Sequence, residues 1–292
     1  MKENLSFAIF GSTYQTKPIA TTQLILDLLK VRGASVSIDR EYYKFLRREK
    51  LRLDGVTAFD SQNFQADVVI SMGGDGTFLE AAARVGSRCI PIMGVNMGRL
   101  GFLADISRDE VTAAIDDIYA GHYTIEEHAV ICVDCEGTPI PGSPFALNDI
   151  AVLKRDDASM ISIRTSVDND YLVTYQADGL VVSTPTGSTA YSLSNGGPIV
   201  WPRADVLCLT PVAPHSMNIR PMVLPDTSVI TLDVVSRSHQ FLVAVDGRSA
   251  RCTEGTTLTI RRAAYTIHIL KRQGQTYFRT LREKMMWGKD VR

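Results

Sequence analysis

The chain has 292 residues, long enough to bury the cores of two domains. Its 31 basic and 32 acidic residues leave a formal net charge of −1, so no broad basic field marks nucleic acid as a partner. Met1-Lys2-Glu3-Asn4-Leu5-Ser6 lacks a signal-peptide layout and no apolar run could span a bilayer, which points to the cytoplasm and away from a membrane. The five cysteines, an odd number without a secretion signal, read as reduced thiols.

In chain order, Phe7-Ala8-Ile9-Phe10 predicts a strand ending at Gly11. Residues 18–30 carry apolar side chains at helical spacing, with Pro18 suited to a first turn. Strands follow at 36–38 and 67–71, and straight after Val68-Val69-Ile70 comes Gly73-Gly74-Asp75-Gly76-Thr77. Glycines let the backbone turn tightly and bring its N–H groups close to a ligand. Thr77 and Glu80 have capping-box spacing for a helix over 77–85, so free amides and a positive dipole end would face the turn and hold phosphate. A carboxylate beside phosphate is repulsive unless it serves a purpose. Asp75 could hold a metal that neutralises both charges, or take a proton from a hydroxyl attacking the phosphate. Both readings point to phosphoryl transfer. A plain surface turn is the alternative, and the strand–turn–helix setting weighs against it.

A further strand is predicted at 89–94. The segment 96–103 after it places Gly98, Arg99 and Gly101 at a strand's carboxyl end, where open α/β sheets bind ligands; Arg99 serves there as a phosphate contact or as part of a structural turn. A helix is predicted at 109–119. Strands alternating with helices imply a parallel sheet covered on both faces, a Rossmann-like α/β domain over residues 1–124.

After His128 the texture becomes all-β, with strands predicted at 129–135, 146–153, 161–167, 171–175, 180–183, 205–209, 228–235, 240–245, 256–260 and 266–270. Asp168-Asn169-Asp170 is a hairpin turn between two of them. This predicts a C-terminal antiparallel β-sandwich-like domain over residues 125–274. Cys132 and Cys135 fall in an alternating strand on opposite faces, a structural placement rather than a metal or redox pair. The tail, helical at 280–287, is expected to pack back on the first domain as part of 275–292. No linker separates the halves, and a ligand site in the crevice between them is expected.

Within the β half, Thr184-Pro185-Thr186-Gly187-Ser188-Thr189-Ala190-Tyr191-Ser192-Leu193-Ser194-Asn195-Gly196-Gly197-Pro198 is too rich in hydroxyls and glycines to be ordinary core. Small hydroxyls and bare amides can bond ribose and phosphate oxygens, and Tyr191 offers a ring to stack on a base. The plain alternative is a solvated Ser/Thr/Gly loop. His215 reads as structural, with a place at the edge of the cleft as the alternative. Missing patterns narrow the field: no G-x-x-x-x-G-K-[ST], no G-x-G-x-x-G, no H-E-x-x-H and no second CxxC occur.

Taken together and in order, Gly73 to Thr77, the 96–103 segment, Asn148-Asp149, the 184–198 loop, the 210–216 segment and Asp246-Gly247 resemble the NAD kinases, from about residue 68 to 247. The first motif is shared with diacylglycerol kinases, sphingosine kinases and phosphofructokinases; the Thr-Pro-Thr-Gly-Ser-Thr-Ala-Tyr-Ser run is far more specific. The resemblance implies transfer of a phosphoryl group from ATP, with a divalent metal such as Mg²⁺, to the 2′-hydroxyl of NAD's adenosine ribose. Asp75 would be the general base or help hold the metal, and Gly73, Gly74, Gly76 and Thr77 would support the ATP phosphates. NAD would contact Asp75, Gly76, Asn148, Asp149, Asp178, Thr186, Thr189, Ala190, Tyr191, Ser192, Leu193, Ser194 and Arg248. The family usually has Asn-Glu where this chain has Asn148-Asp149, and often Gln where it has Arg248; arginine can make phosphate contacts that glutamine cannot. A homodimer or homotetramer through the β domain is also implied. The rival readings are a lipid or sugar kinase sharing the glycine turn, and a non-catalytic NAD(P) sensor, for which an acid beside phosphates would have no use.

Overall fold

Short β-branched runs separated by amphipathic stretches build the first half of the chain. They form β1 (Ser6–Gly11), α1 (Ile19–Val31), β2 (Ser35–Asp39), α2 (Arg40–Arg48), β3 (Val56–Phe59), β4 (Val68–Gly73), α3 (Asp75–Val85), β5 (Ile92–Asn96) and α4 (Val111–Ala120). The computed structural model describes residues 4–13, 19–98, 100–136, 140, 142–155 and 160–288; Met1 to Glu3, Pro18 and Arg99 lie outside them. The strands pair in parallel in the order β5-β4-β1-β2-β3, with Ile9 opposite both Ile70 and Ile38, and Ile70 opposite Met93. All six residues of β4 are buried, as a central strand covered on both faces requires. Ile25 and Leu29 of α1, Tyr42 and Leu46 of α2, and Ile115 and Ile118 of α4 share one core with these strands. The Tyr42 hydroxyl lies 2.8 Å from that of Thr22, and burial pushes its phenol up to about 12.

The rest of the chain is nearly all strand: β6 (Tyr123–Cys135), β7 (Phe145–Ala146), β8 (Asp149–Lys154), β9 (Ile161–Val167), β10 (Asp170–Ala177), β11 (Gly179–Ser183), then the single turn α5 (Tyr191–Ser194). There follow β12 (Val206–Val212), β13 (Met222–Pro225), β14 (Ile230–Val235), β15 (Gln240–Val245), β16 (Arg248–Thr253), β17 (Thr257–Arg272) and α6 (Tyr277–Met285). One antiparallel sheet runs β13-β12-β11-β8-β15-β16, while β10, β9, β14 and β17 pair in that order in another. Ile150, Val152, Val182 and Val243 from the first sheet share a core with Ile163, Leu232 and Leu258 from the second, the interdigitated interior of a sandwich. Asp168 and Asn169 take positive φ of 51° and 68°, the left-handed pair that a two-residue hairpin between β9 and β10 demands.

By Cα proximity the chain forms two units, Met1–Glu127 with Ile267–Arg292, and His128–Thr266. Both divisions fall inside continuous strands, β6 and β17, so no linker composition marks them. The helix α6 belongs to the α/β unit, where the Tyr277 ring lies 6.2 Å from that of Phe102.

Several local expectations are corrected. The helix after the glycine turn begins at Asp75, two residues early, with Gly74 as N-cap and no side-chain cap, so Thr77 and Glu80 form no capping box. The capping box that does form pairs Ser107 with Glu110 ahead of α4. The strand expected at 89–94 starts only at Ile92, because Cys89 is left-handed with φ of 54°. The two strands expected at 256–260 and 266–270 are one, β17. The charge-dense helix α2 and the polar strand β16 were not expected, since neither carries an apolar run.

Candidate active site

The carboxylate of Asp75 sits where β4 ends and α3 begins, and it is enclosed by the segment that follows β5. Its Oδ1 accepts the amides of Leu103 and Ala104 at 3.0 Å each. Its Oδ2 accepts the amide of Phe102 at 3.0 Å and the ammonium of Lys284 at 3.3 Å. Burial alone would raise this carboxyl, but the Ala104 amide, the Lys284 charge and the Phe102 and Leu103 amides outweigh it and hold the pKa below the ordinary value. Asp75 is therefore ionised at neutral pH, and the first turn of α3 adds a favourable dipole. Sequence reasoning found Asp75 but missed Lys284, which is 209 residues away and carries no motif.

Gly101 is in this segment for a steric reason. A Cβ built there would lie 2.0 Å from Asp75 Oδ1, so only glycine lets the loop close around the carboxylate. Gly101→Ala should therefore displace the 101–104 amides and lower turnover by at least about tenfold, while the remote cores keep the fold. Wild-type kcat in that variant, with an unchanged thermal midpoint, would show that the cradle does not matter.

Gly76 and Thr77 line a cavity of about 760 Å³ at the carboxyl ends of β1, β2 and β4, together with Ser12, Asp39, Tyr42, Lys44 and Arg48. This is the place where an open parallel sheet binds ligands. Gly73 and Gly74 are not part of its lining. Gly73 has a packing reason instead: a Cβ there would meet Thr77 Oγ1 at 2.2 Å.

A second cluster forms in the β-rich unit around Asp246, which turns the β15–β16 hairpin with φ of 46°. Its Oδ2 accepts the Leu147 amide at 2.8 Å, and its Oδ1 accepts the amides of Asn148 at 2.8 Å and Asp149 at 3.1 Å. Burial, only partly offset by those amides and by Arg248, leaves Asp246 above the ordinary carboxylate value. The neighbouring Asp149, 7% exposed, is pushed up from 3.8 to about 7 by burial and by the Asp246 charge, against a hydrogen bond from the Tyr191 amide. Asn148 is 9% exposed, and its side-chain carbonyl has no partner among the described residues. A buried acceptor left without a partner is uncommon in a folded protein.

The hydroxyl-rich loop is more buried than its composition suggested. The Thr184 hydroxyl donates to the Leu147 carbonyl at 2.6 Å and accepts the Gly187 amide at 3.1 Å. Thr186 meets His128 Nδ1 at 2.7 Å, Thr189 reaches the Thr186 carbonyl at 3.4 Å, and Ser192 meets Thr210 at 2.8 Å. These side chains tie the loop to β6, to Leu147 just before β8 and to β12. Tyr191, at 38% exposed, and Ser194 face solvent, with Ala190 and Leu193 half-buried. Asp178 pairs with Lys154 at 2.9 Å. Arg248 donates Nε to the Val245 carbonyl at 3.1 Å and Nη2 to the Phe145 carbonyl at 3.0 Å, so it braces the backbone.

A resident divalent metal does not fit these residues. No three His, Cys, Asp or Glu side chains converge to hold one among the described residues. A carboxylate offers about four acceptor positions, and three amides and an ammonium already fill those of Asp75.

Family models match most of the chain: ATP-NAD kinase N-terminal domain over residues 25–123 and ATP-NAD kinase C-terminal domain over residues 147–272. A protein of Bacteroides fragilis named NAD kinase is 55% identical over 289 residues, covering 99% of this chain and 100% of the relative. A structure of an Archaeoglobus fulgidus NAD kinase in complex with ATP aligns with a TM-score of 0.74 at 25% identity, covering 97% of this chain and 99% of that one. Yeast NADH kinase complexed with NADH aligns at 0.89 with 21% identity, over 99% of this chain and 89% of that one, a likeness of fold. Those likenesses span both units and include every segment of the resemblance read from the sequence, and the chain belongs to the ATP-NAD kinase family.

Proposed function

We infer that the chain phosphorylates the 2′-hydroxyl of the adenosine ribose of NAD with ATP, giving NADP and ADP. The observation that carries this reading is whole-length likeness, at 55% identity, to a protein named NAD kinase. In the reaction the ribose oxygen bonds to the γ-phosphorus, the bond to the β,γ-bridging oxygen breaks, and the hydroxyl proton passes to Asp75. A lowered pKa makes Asp75 a weak base. That suits phosphoryl transfer, whose loose transition state asks more of positioning than of basicity. The cavity of about 760 Å³ beside Gly76 and Thr77 has room for ATP, with Lys44, paired to Glu41 at 2.6 Å, and Arg48 as its cations and Asp39, Glu41 and Glu80 as its acids. Mg²⁺ enters with ATP as part of that substrate, held by its phosphates.

For NAD, the unpartnered Asn148 carbonyl and Asp149 are the groups best placed to take ribose or adenine, with Tyr191 free to stack. No described helix is long and apolar enough to cross a membrane. The edge strand β13, with Met222 and Val223 exposed, supports a homodimer or homotetramer through the β-rich unit. The direct test is NADP formation by the purified protein with ATP, Mg²⁺ and NAD. Tight NAD binding with no NADP formed would replace the kinase by a sensor.

Asp149 adds a pH dependence. Ionised, it accepts hydrogen bonds from ribose hydroxyls more strongly than the neutral acid does. NAD affinity should therefore rise about three- to tenfold as pH climbs through its value of about 7. The sign for stability is opposite. A carboxyl raised on folding contributes stability below its unfolded value near 3.8 and loses it as pH rises through about 7. Titrating NAD binding from pH 6 to 8 checks this, and an equally steep profile in Asp149→Asn would assign the effect elsewhere.

A further inference from the structure

Of the donors around Asp75, three belong to one backbone segment and cannot leave singly, whereas the fourth ends a side chain on α6. Lys284 stands 3.3 Å from Oδ2 and 4.5 Å from the centre of the Phe102 ring, so the contact is a half-exposed ion pair supported by a cation–π face. With all acceptor positions filled, the carboxylate cannot receive a hydroxyl proton until one donor withdraws.

We propose that Lys284 is the exchangeable counter-ion of Asp75: α6 closes the carboxylate in the resting enzyme and releases it when the hydroxyl to be phosphorylated arrives. Lys284 is then a positioning residue, acting through Asp75, and the proposal rests on the reading of Asp75 as the proton acceptor. Lys284 is the charged side chain that bears on Asp75 among the described residues. Tyr277 of the same helix keeps its buried hydroxyl unpartnered, so α6 is not pinned at that point by a hydrogen bond.

Lys284→Met and Lys284→Arg test it. The Met variant should bind NAD about two- to fivefold more tightly, because no cation has to be displaced. Its acid limb in kcat/KM against pH should move up by as much as about 0.7 of a pH unit. The Arg variant should restore both. Hydrogen exchange over residues 277–285 should speed up when NAD and a non-hydrolysable ATP analogue bind the wild type. Unmoved limb and affinity would leave Lys284 a packing residue, and weaker binding of NAD or of the analogue would make it a direct ligand; either overturns the proposal, as does unchanged exchange in α6. Asp75→Asn separates the two readings. Wild-type turnover in that variant would remove Asp75 from the chemistry, whereas an undiminished effect of Lys284→Met on NAD affinity in the Asn background would remove the coupling alone.

Discussion

Asp75→Asn is expected to lower kcat for NADP formation by about 10²- to 10⁴-fold while leaving NAD affinity within a few-fold of wild type. The replacement keeps size and shape but cannot accept a proton. Its oxygen can still take the Leu103 and Ala104 amides that Oδ1 accepts, so the loop stays close to its place. At the Oδ2 position an amide NH₂ would face the Phe102 amide and the Lys284 ammonium, two donors against a donor. That mismatch should cost about 1–3 kcal/mol of stability. Measuring kcat and NAD affinity on the same folded sample, with a thermal midpoint beside them, separates chemistry from local unfolding. Parallel falls in kcat and affinity would mean that Asp75 holds NAD rather than acting in the phosphoryl step.

The pattern of legibility follows from what local sequence encodes. The alternation of β1, α1, β2 and β4 was readable because β1 and β4 are compact apolar runs, β2 sets Val36 and Ile38 alternately with polar residues, and α1 keeps a helix period. The glycine turn was readable as a turn carrying an acid because three glycines surround Asp75 between an apolar run and a helical pattern. The helix start was not, because Gly74 caps α3 through its backbone and leaves no side-chain signature. The cradle of Asp75 was invisible for a different reason: its donors are main-chain amides of residues 102–104, and any residue has such an amide. Only Gly101 betrays it, and its reason is proximity to Asp75 rather than turn geometry. The hydroxyl loop misled on burial. Composition predicts solvent for Ser and Thr, but Thr184 and Ser192 are buried because each finds a partner inside the unit, the Leu147 carbonyl for one and Thr210 for the other. The pairing of Asp149 with Asp246, 97 residues apart, likewise depends on β8 and β15 lying side by side.

Asp246→Ala should be the most damaging single change in the β-rich unit. It removes the acceptor of three amides, those of Leu147, Asn148 and Asp149, in a place where water has little access. Each abandoned donor costs about 1–3 kcal/mol, and alanine adds about 1 kcal/mol for a φ of 46° that it tolerates poorly. One term opposes these: deleting a buried carboxylate relieves Asp149, whose ionisation Asp246 hinders. A net loss of about 3–5 kcal/mol is expected, a large share of the 5–15 kcal/mol typical of a folded domain. Asp246→Asn discriminates between the two effects. Asparagine visits the left-handed region and keeps one oxygen for the Asn148 and Asp149 amides, so its loss should stay near 1–2 kcal/mol. It also removes the charge that helps raise Asp149, so the pH midpoint of NAD binding should fall below that of the wild type. Denaturant unfolding of the two variants and NAD titrations against pH measure the halves separately. If Asp246→Ala unfolds at the wild-type midpoint, the three amides have found other partners and Asp246 does not organise the segment that carries Asn148 and Asp149. If Asp246→Asn leaves the pH midpoint where it was, burial alone raises Asp149, and the close approach of the two acids has no part in how this chain binds its substrate.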